Sequence, residues 1–328
     1  MVLRWIVNVG LLAIPIGGTI GAILGIEAHR QANGQAPLFA GGGNDGSGGG
    51  STGSPGNAGH HFTDNGVTYS QYCRKSYGIP PESTGQHFTF NPNQWGVTSS
   101  TVGGLCMNIT TFDNQTYATK YTAPEFSASW YYAQGDADQP THAYPNVMVD
   151  DILPVELQKM SALNLDFEWA YGVGNTTAAS TDVATLTTAG LNGNVAIDMF
   201  FDADSTTAQD SQKAKYEVMI WFAAFGPGTQ PVGPGNVVTT HVLDGTKFEL
   251  FSGVNGIGQT VLTWNATQVT DTFNGDISPL ITDLYNLGAE GYPEKTDYLG
   301  VFQLGTEAFY SNGWVTFSVP TLSVDIQV

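Results

Sequence analysis

Glu217 opens the run YEVMIWFAAFG, which is otherwise apolar and aromatic up to Gly226. A carboxylate in such a setting costs free energy unless it has a use. Two more stand in similar runs, Asp198 in VAIDMFF and Glu307 in VFQLGTEAF. Strand side chains alternate between faces. Glu217, Met219 and Trp221 therefore share one face, and Val218, Ile220 and Phe222 the other. Ala196, Asp198 and Phe200 share a face, as do Gln303, Gly305, Glu307 and Phe309 if no bulge intervenes. Carboxylates in line with aromatic rings suit a sugar-binding cleft. The rings stack on the apolar faces of pyranoses while paired carboxyls act on the glycosidic bond. Any one of them could equally face solvent at a sheet edge or pair with a lysine. Asp166 and Glu168 in LDFEWAYG fit that blander pattern, alternating with Leu165, Phe167 and Trp169 as a solvated face does.

The segments that must position these groups read as strands. FSASWYYA, NVAIDMFFD, YEVMIWFAAF, KFELFSGV, TVLTWNATQV and similar runs recur with Gly, Asn and Asp between them. Many short strands with frequent turn signals indicate an all-β sandwich or jelly roll. One helix is expected, in DISPLITDLYNLGAEG. Ser278 can cap it, Pro279 fits its first turn, and Leu280, Ile281, Leu284 and Leu287 form one stripe. No sustained repeat, phosphate loop or dinucleotide fingerprint occurs.

The chain has 328 residues, 41% of them apolar and 12% aromatic. Only 12% are charged, and the formal net charge is −19 with ten Lys and Arg. Nucleic acid is thereby disfavoured as a partner, since its binding needs basic patches. Residues 1–30 form a membrane segment: Trp5 to Ile26 is mostly apolar, uncharged and preceded by Arg4. It reads as an uncleaved signal-anchor or a signal peptide, with the anchor favoured because Glu27 precedes the candidate cleavage residue Ala28. Either places the remainder outside the cytoplasm. Residues 31–61 are a Gly/Ser-rich linker ending in His60 and His61, which read as loop residues rather than metal ligands. The globular domain is expected over 62–328, as a monomer. Cys73 and Cys106 suit one disulfide in an oxidising compartment, the alternative being two buried thiols. Asn108, Asn114, Asn175 and Asn265 each begin a glycosylation sequon.

The segment YEVMIWFAAFG resembles the nucleophile strand of glycoside hydrolase family 12, and LGTEAF resembles that family's acid/base strand. NQWG, SASWYY, AYPNVM and VAIDMFFD are similar to further family segments and occur in the family's order, so the resemblance covers about residues 70–328. It implies a jelly roll of two antiparallel sheets with substrate crossing the concave one. It also implies retaining endo-hydrolysis of β-1,4-glucans, with no cofactor and no metal. Glu217 takes the nucleophile position, Glu307 the acid/base position, and Asp198 that of the carboxylate assisting the nucleophile. Trp95 and Trp130 match cleft aromatics, Met219 and Trp221 flank the nucleophile, and Gln303 on the shared face is expected to touch substrate. The Cys73–Cys106 pair resembles an N-terminal disulfide of the family. Ala308, Gln94, Tyr132 and the segment FGPGTQPVG depart from the family's pattern. They bear on substrate preference more than on chemistry. Preference for xyloglucan, transfer to a sugar acceptor, and a non-catalytic glycan-binding jelly roll are the competing readings.

Overall fold

The computed structural model of the chain describes residues 60–328 except 74, 77, 83–84, 115–116, 136–139 and 289. The expected membrane segment and all but the end of the linker lie outside the described residues. Among the described residues no helix is long and apolar enough to cross a membrane.

Seventeen strands follow one another among the described residues. They are β1 His60–Asp64, β2 Val67–Tyr72, β3 Phe88–Asn91, β4 Gly103–Phe112, β5 Glu125–Tyr132, β6 Asn146–Val149, β7 Val155–Glu156, β8 Ala162–Val173 and β9 Asn192–Asp202. There follow β10 Tyr216–Phe225, β11 Thr239–Leu243, β12 Thr246–Val254, β13 Thr260–Ala266, β14 Thr272–Asp276, β15 Tyr298–Gly305, β16 Ala308–Tyr310 and β17 Val315–Gln327. They build two sheets. The seven-stranded sheet has the order β1-β2-β4-β5-β17-β8-β14. The ten-stranded sheet has the order β11-β12-β13-β10-β9-β15-β6-β3, with β16 added to β9 and β7 to β15. The all-β jelly-roll sandwich holds, with one exception to antiparallel pairing: β10 and β13 run parallel.

The core between the sheets follows from alternation. Along β9, Val195, Ile197, Met199 and Phe201 enter it, and along β10 Val218, Ile220 and Phe222 do. Phe222 meets the rings of Phe167, Phe248 and Phe273. Each side chain so buried stabilises by roughly 1.5–3 kcal/mol. The opposite face of β9 and β10 is thereby left to present Ala196, Asp198, Glu217, Met219 and Trp221. Asp166 and Glu168 of β8 are exposed, as the alternation there predicts.

Three details differ from expectation. Among the described residues there are two α-helices, not one: α1 Val183–Thr188 and α2 Ser278–Leu287. Asp182 caps α1 by accepting from the N–H groups of Ala184 and Thr185, which compensates a run of Val and Thr that favours helix poorly. In α2, Ser278 is not the cap. Asp276 accepts from its N–H at 2.8 Å and its hydroxyl at 2.9 Å. Leu280, Ile281 and Leu284 are buried there, whereas Leu287 is 41% exposed. His60 and His61 belong to strand β1 rather than to a loop. The disulfide Cys73–Cys106 is formed and ties the segment after β2 to β4.

Phe222→Ala should lower unfolding free energy by about 3–5 kcal/mol, the usual cost of deleting a buried ring. Denaturant titration measures this. An unchanged midpoint would mean that β10 does not turn Val218, Ile220 and Phe222 inward.

Candidate active site

Strands β10 and β9 carry Glu217 and Asp198, and Glu307 follows the end of their neighbour β15. Asp198 on β9 stands opposite Met219 of β10 on one side and Gln303 of β15 on the other. Glu217 pairs with Phe200 and Trp221 with Ala196. Regular pairing of β15 stops at Gly305 and resumes with β16 at Ala308, so Glu307 lies in the gap between two named strands. The register nonetheless carries through: Gly305 pairs with Ala196 and Ala308 with Gly193. Glu307 thus keeps the face shared by Gln303 and Gly305. Two glycines permit this close course. A Cβ at Gly305 would come within 2.1 Å of the Pro145 carbonyl oxygen, and one at Gly193 within 2.6 Å of that of Glu307.

Neutral amides hold the two glutamates. Asn194 of β9 accepts the Glu307 N–H at 2.9 Å through Oδ1, and its Nδ2 donates to Glu307 Oε2. Thr306 Oγ1 donates to the Asn194 carbonyl. Asn255, in the turn after β12, donates from Nδ2 to Glu217 Oε2 at 2.9 Å. The same amide group donates to Gln259 Oε1 at 2.8 Å, and Gln259 Nε2 is anchored on the carbonyls of Ser211 and Ala214. The buried Tyr144 hydroxyl reaches the carbonyls of Ala196 at 3.1 Å and Gln303 at 3.3 Å, spanning β9 and β15. Asn194, Asn255 and Tyr144 were not singled out in the sequence. The two asparagines lie in LNGN and VNGIG, where Asn beside Gly reads as a turn. Tyr144 stands in the quoted AYPNVM segment.

Burial dominates the electrostatics. It pushes Glu307 up to about 7, helped by the charge of Glu217 and opposed by the Asn194 hydrogen bond. Burial raises Glu217 too, but the Asn255 amide favours its charged form and opposes the rise. Asp198 is held well above the usual carboxylate range by burial and then by Glu217 and Glu307. Its Oδ1 is buried with no hydrogen-bond partner. Tyr144 is likewise held well above the ordinary phenol range, by burial and by the three carboxyls. The arrangement can keep Glu307 as a neutral acid while Glu217 carries charge, the division of labour that two-carboxylate catalysis requires.

The aromatic residues divide. Met219 and Trp221 lie on the carboxylate face with Ala196, and the Trp221 indole N–H points at Met219 Sδ at 3.4 Å. Gln303 is there too, its amide 3.8 Å from Met148 Sδ. Trp95 is buried, with its Nε1 unpartnered. Trp130 does not line the cleft. It is 0% exposed in the inter-sheet core, donates to the Tyr171 hydroxyl at 2.6 Å and stacks on Tyr132. A ring so enclosed has no surface to offer a sugar. Of the sequons, Asn114 and Asn175 are exposed. Asn108 is part-buried in β4, where it hydrogen-bonds Gln71 and Ser127. Asn265 stands on β13 opposite Trp221.

A two-sheet sandwich whose larger sheet carries acid side chains among aromatic rings is the architecture of a class of glycoside hydrolases. Residues 86–327 match the sequence profile of glycosyl hydrolase family 12, and the chain belongs to that family. A xyloglucan-specific endo-β-1,4-glucanase A from Aspergillus aculeatus is 29% identical over 245 residues, covering 74% of this chain and 88% of that protein. The enzyme of the same name from Emericella nidulans is 27% identical over 74% of this chain and 87% of its own length. Among solved structures, the family 12 endoglucanase 3 of Trichoderma harzianum shares the fold at a TM-score of 0.61 and 21% identity, covering 79% of this chain and 98% of that one. The catalytic domain of Humicola grisea Cel12A shares it at 0.59 and 22% identity, covering 78% and 98%. The protein is a glycoside hydrolase of the endoglucanase and xyloglucanase type.

Glu307→Gln should stabilise the fold in a pH-dependent way. A carboxyl whose pKa is raised in the folded state keeps its proton there to higher pH than in the unfolded chain. Its contribution is intact below the unfolded value of about 4.3 and is lost as pH rises through about 7. The variant's thermal midpoint should therefore exceed the parent's at pH 8, and the gap should narrow below pH 4.5. A gap independent of pH would contradict the raised pKa.

Proposed function

We propose that this glycoside hydrolase cleaves β-1,4-glucan chains internally by retaining double displacement. Glu217 attacks the anomeric carbon as a carboxylate. Glu307, starting protonated, donates to the leaving oxygen and then deprotonates the incoming water. Asp198, on the neighbouring strand, tunes Glu217 through its own proton. The observation that carries the reading is the opposed setting of the two glutamates. Both are desolvated on one sheet face and each accepts from an asparagine amide, Asn255 for Glu217 and Asn194 for Glu307, but Glu307 also bears the repulsion of Glu217. Met219, Trp221, Gln303 and Trp95 supply the cleft contacts with the sugars.

A second reading, preference for xyloglucan, is favoured by the Aspergillus and Emericella relatives, which are xyloglucan-specific enzymes. The Cys73–Cys106 disulfide supports action outside the cytoplasm, and Asn114 and Asn175 are the sequons best placed to carry glycans. In this reading, residues 1–30 either tether the enzyme to the surface or are removed on secretion.

Reducing-sugar release should be tested on carboxymethylcellulose, mixed-linkage β-glucan, xyloglucan, xylan and mannan. Activity on the first three but not the last two is expected, and activity confined to xyloglucan would establish the second reading. Retaining enzymes place their carboxyls about 5–5.5 Å apart, too close for an interposed water. NMR should therefore show the β-anomer first, and Glu217→Gln should abolish turnover while remaining folded. A first-formed α-anomer would recast Glu217 as a general base. No hydrolysis of any of the five polymers would overturn the glucanase reading.

A further inference from the structure

We propose that Tyr131 and Trp314 form a second glucan-binding platform on the outer face of the seven-stranded sheet, apart from the cleft, that holds a single soluble β-1,4-glucan chain. The proposal rests on the glucanase reading for the identity of the polymer.

Alternation along β5 turns Trp130 and Tyr132 into the core and Tyr131 outward. Val315 pairs with Trp130, so Trp314, one residue earlier, stands opposite Tyr131 on the same outer face. Trp314 is 44% exposed. The two rings lie 6.3 Å apart, centroid to centroid, tilted by 46°. Glycines flank them on both sides. Gly104 of β4 pairs with Tyr131, and Gly174, just past β8, donates its N–H to the Trp314 carbonyl at 2.7 Å. A Cβ at either glycine would meet nothing within 4 Å. The row Gly104, Tyr131, Trp314, Gly174 thus crosses four neighbouring strands as a shallow open track with two aromatic rings in the middle.

The chemistry of the occupant follows from this shape. Pyranose rings have apolar C–H faces that stack on aromatic rings, and their hydroxyls at the edges stay in water. The spacing of the two rings is comparable to the repeat of consecutive sugars in a β-1,4-glucan. Their mutual tilt matches a twisted single chain and not the flat face of a cellulose crystal, which needs coplanar rings. A protein partner would need about 800 Å² on this side of a stable interface. Two part-exposed rings with the exposed Val102 and Val173 at their margins fall well short of that. The net charge of −19 opposes polyanions and is indifferent to a neutral polysaccharide.

The position gives the platform a use. The loop from β16 to Trp314 leaves the larger sheet directly after the Glu307 segment and enters the smaller one, with Ser311 N–H bonded to the Tyr132 carbonyl at 3.0 Å. The platform therefore sits at the end of the sandwich where the acid/base arm turns over. A polymer held at both places is retained by effective concentration, with no added contact to the reacting sugars.

The test is affinity electrophoresis of the full chain bearing Glu217→Gln, so that the polymer survives, in gels containing soluble xyloglucan or mixed-linkage β-glucan. Adding Trp314→Ala or Tyr131→Ala should weaken retention roughly tenfold, as expected when one of two linked sites is lost. Trp314→Tyr should restore most of it. In the active protein, Trp314→Ala should leave turnover of short β-1,4-glucan oligosaccharides unchanged, and parent and variant alike should bind crystalline cellulose poorly. Retention of Trp314→Ala equal to the parent's would overturn the proposal. So would loss of retention together with a change from dimer to monomer in gel filtration, which would make the pair a self-association face. Retention that emerges only with Asn175→Gln would assign the rings to the chain's own glycan instead. Failure of the parent to hydrolyse any β-glucan would instead defeat the glucanase reading, which separates the two failures.

Discussion

Three carboxyl groups share one face of one sheet, and the donors that reach them are uncharged. Among the described residues, Asn255 serves Glu217, Asn194 serves Glu307, and the Met199 N–H faces Asp198. No ion pair of the described residues includes any of the three. Desolvation without a cation forces protons onto the cluster, because like charges in a low-dielectric cleft repel strongly. The cluster then titrates as a unit. Its chemistry depends on which member yields its proton first, and the repulsion that Glu217 exerts on Glu307 biases that order.

The rest of the sandwich sustains this unfavourable arrangement. A lone carboxyl pair in a loop would move apart or admit water. Here Glu217 and Asp198 are fixed by strands paired to neighbours on both sides, over a core of aromatic and branched side chains. Glu307 lies between β15 and β16; its carbonyl accepts from the Asn194 N–H at 3.3 Å, and the Asn194 side chain bonds both its N–H and its carboxylate. Tyr144 stitches β9 to β15 beneath the cluster. Asn255 lies in a turn, but Gln259 and two carbonyls pin its amide. Support of this kind is what keeps reacting groups within the narrow geometry that catalysis requires.

Much of the site was legible because period-two alternation is a local property. The faces of Glu217, Asp198 and Glu307 follow from their runs alone. Which face points to the core does not, when both are apolar. In SWYY the resemblance assigned Trp130 to the cleft, yet it is the outward Tyr131 that meets solvent, because burial is decided by the partner sheet. Asn194 and Asn255 were hidden for another reason: Asn next to Gly carries the same signal whether it makes a turn or holds a carboxylate. The helix α1 was missed because its residues favour strands, and only the Asp182 cap argues otherwise. Trp314 was invisible because its meaning depends on a register neighbour far away in the chain and on two glycines from other strands.

Burial, together with the neighbouring charge of Glu217, holds a proton on Glu307 near neutrality. The most direct test is a carbon-13 NMR titration of the glutamate side-chain carboxyls in the parent and in Glu217→Gln. Glu307 should titrate near pH 7 in the parent and move to lower pH when the neighbouring charge is removed. Titration at the ordinary value of about 4.3 in both proteins would contradict it.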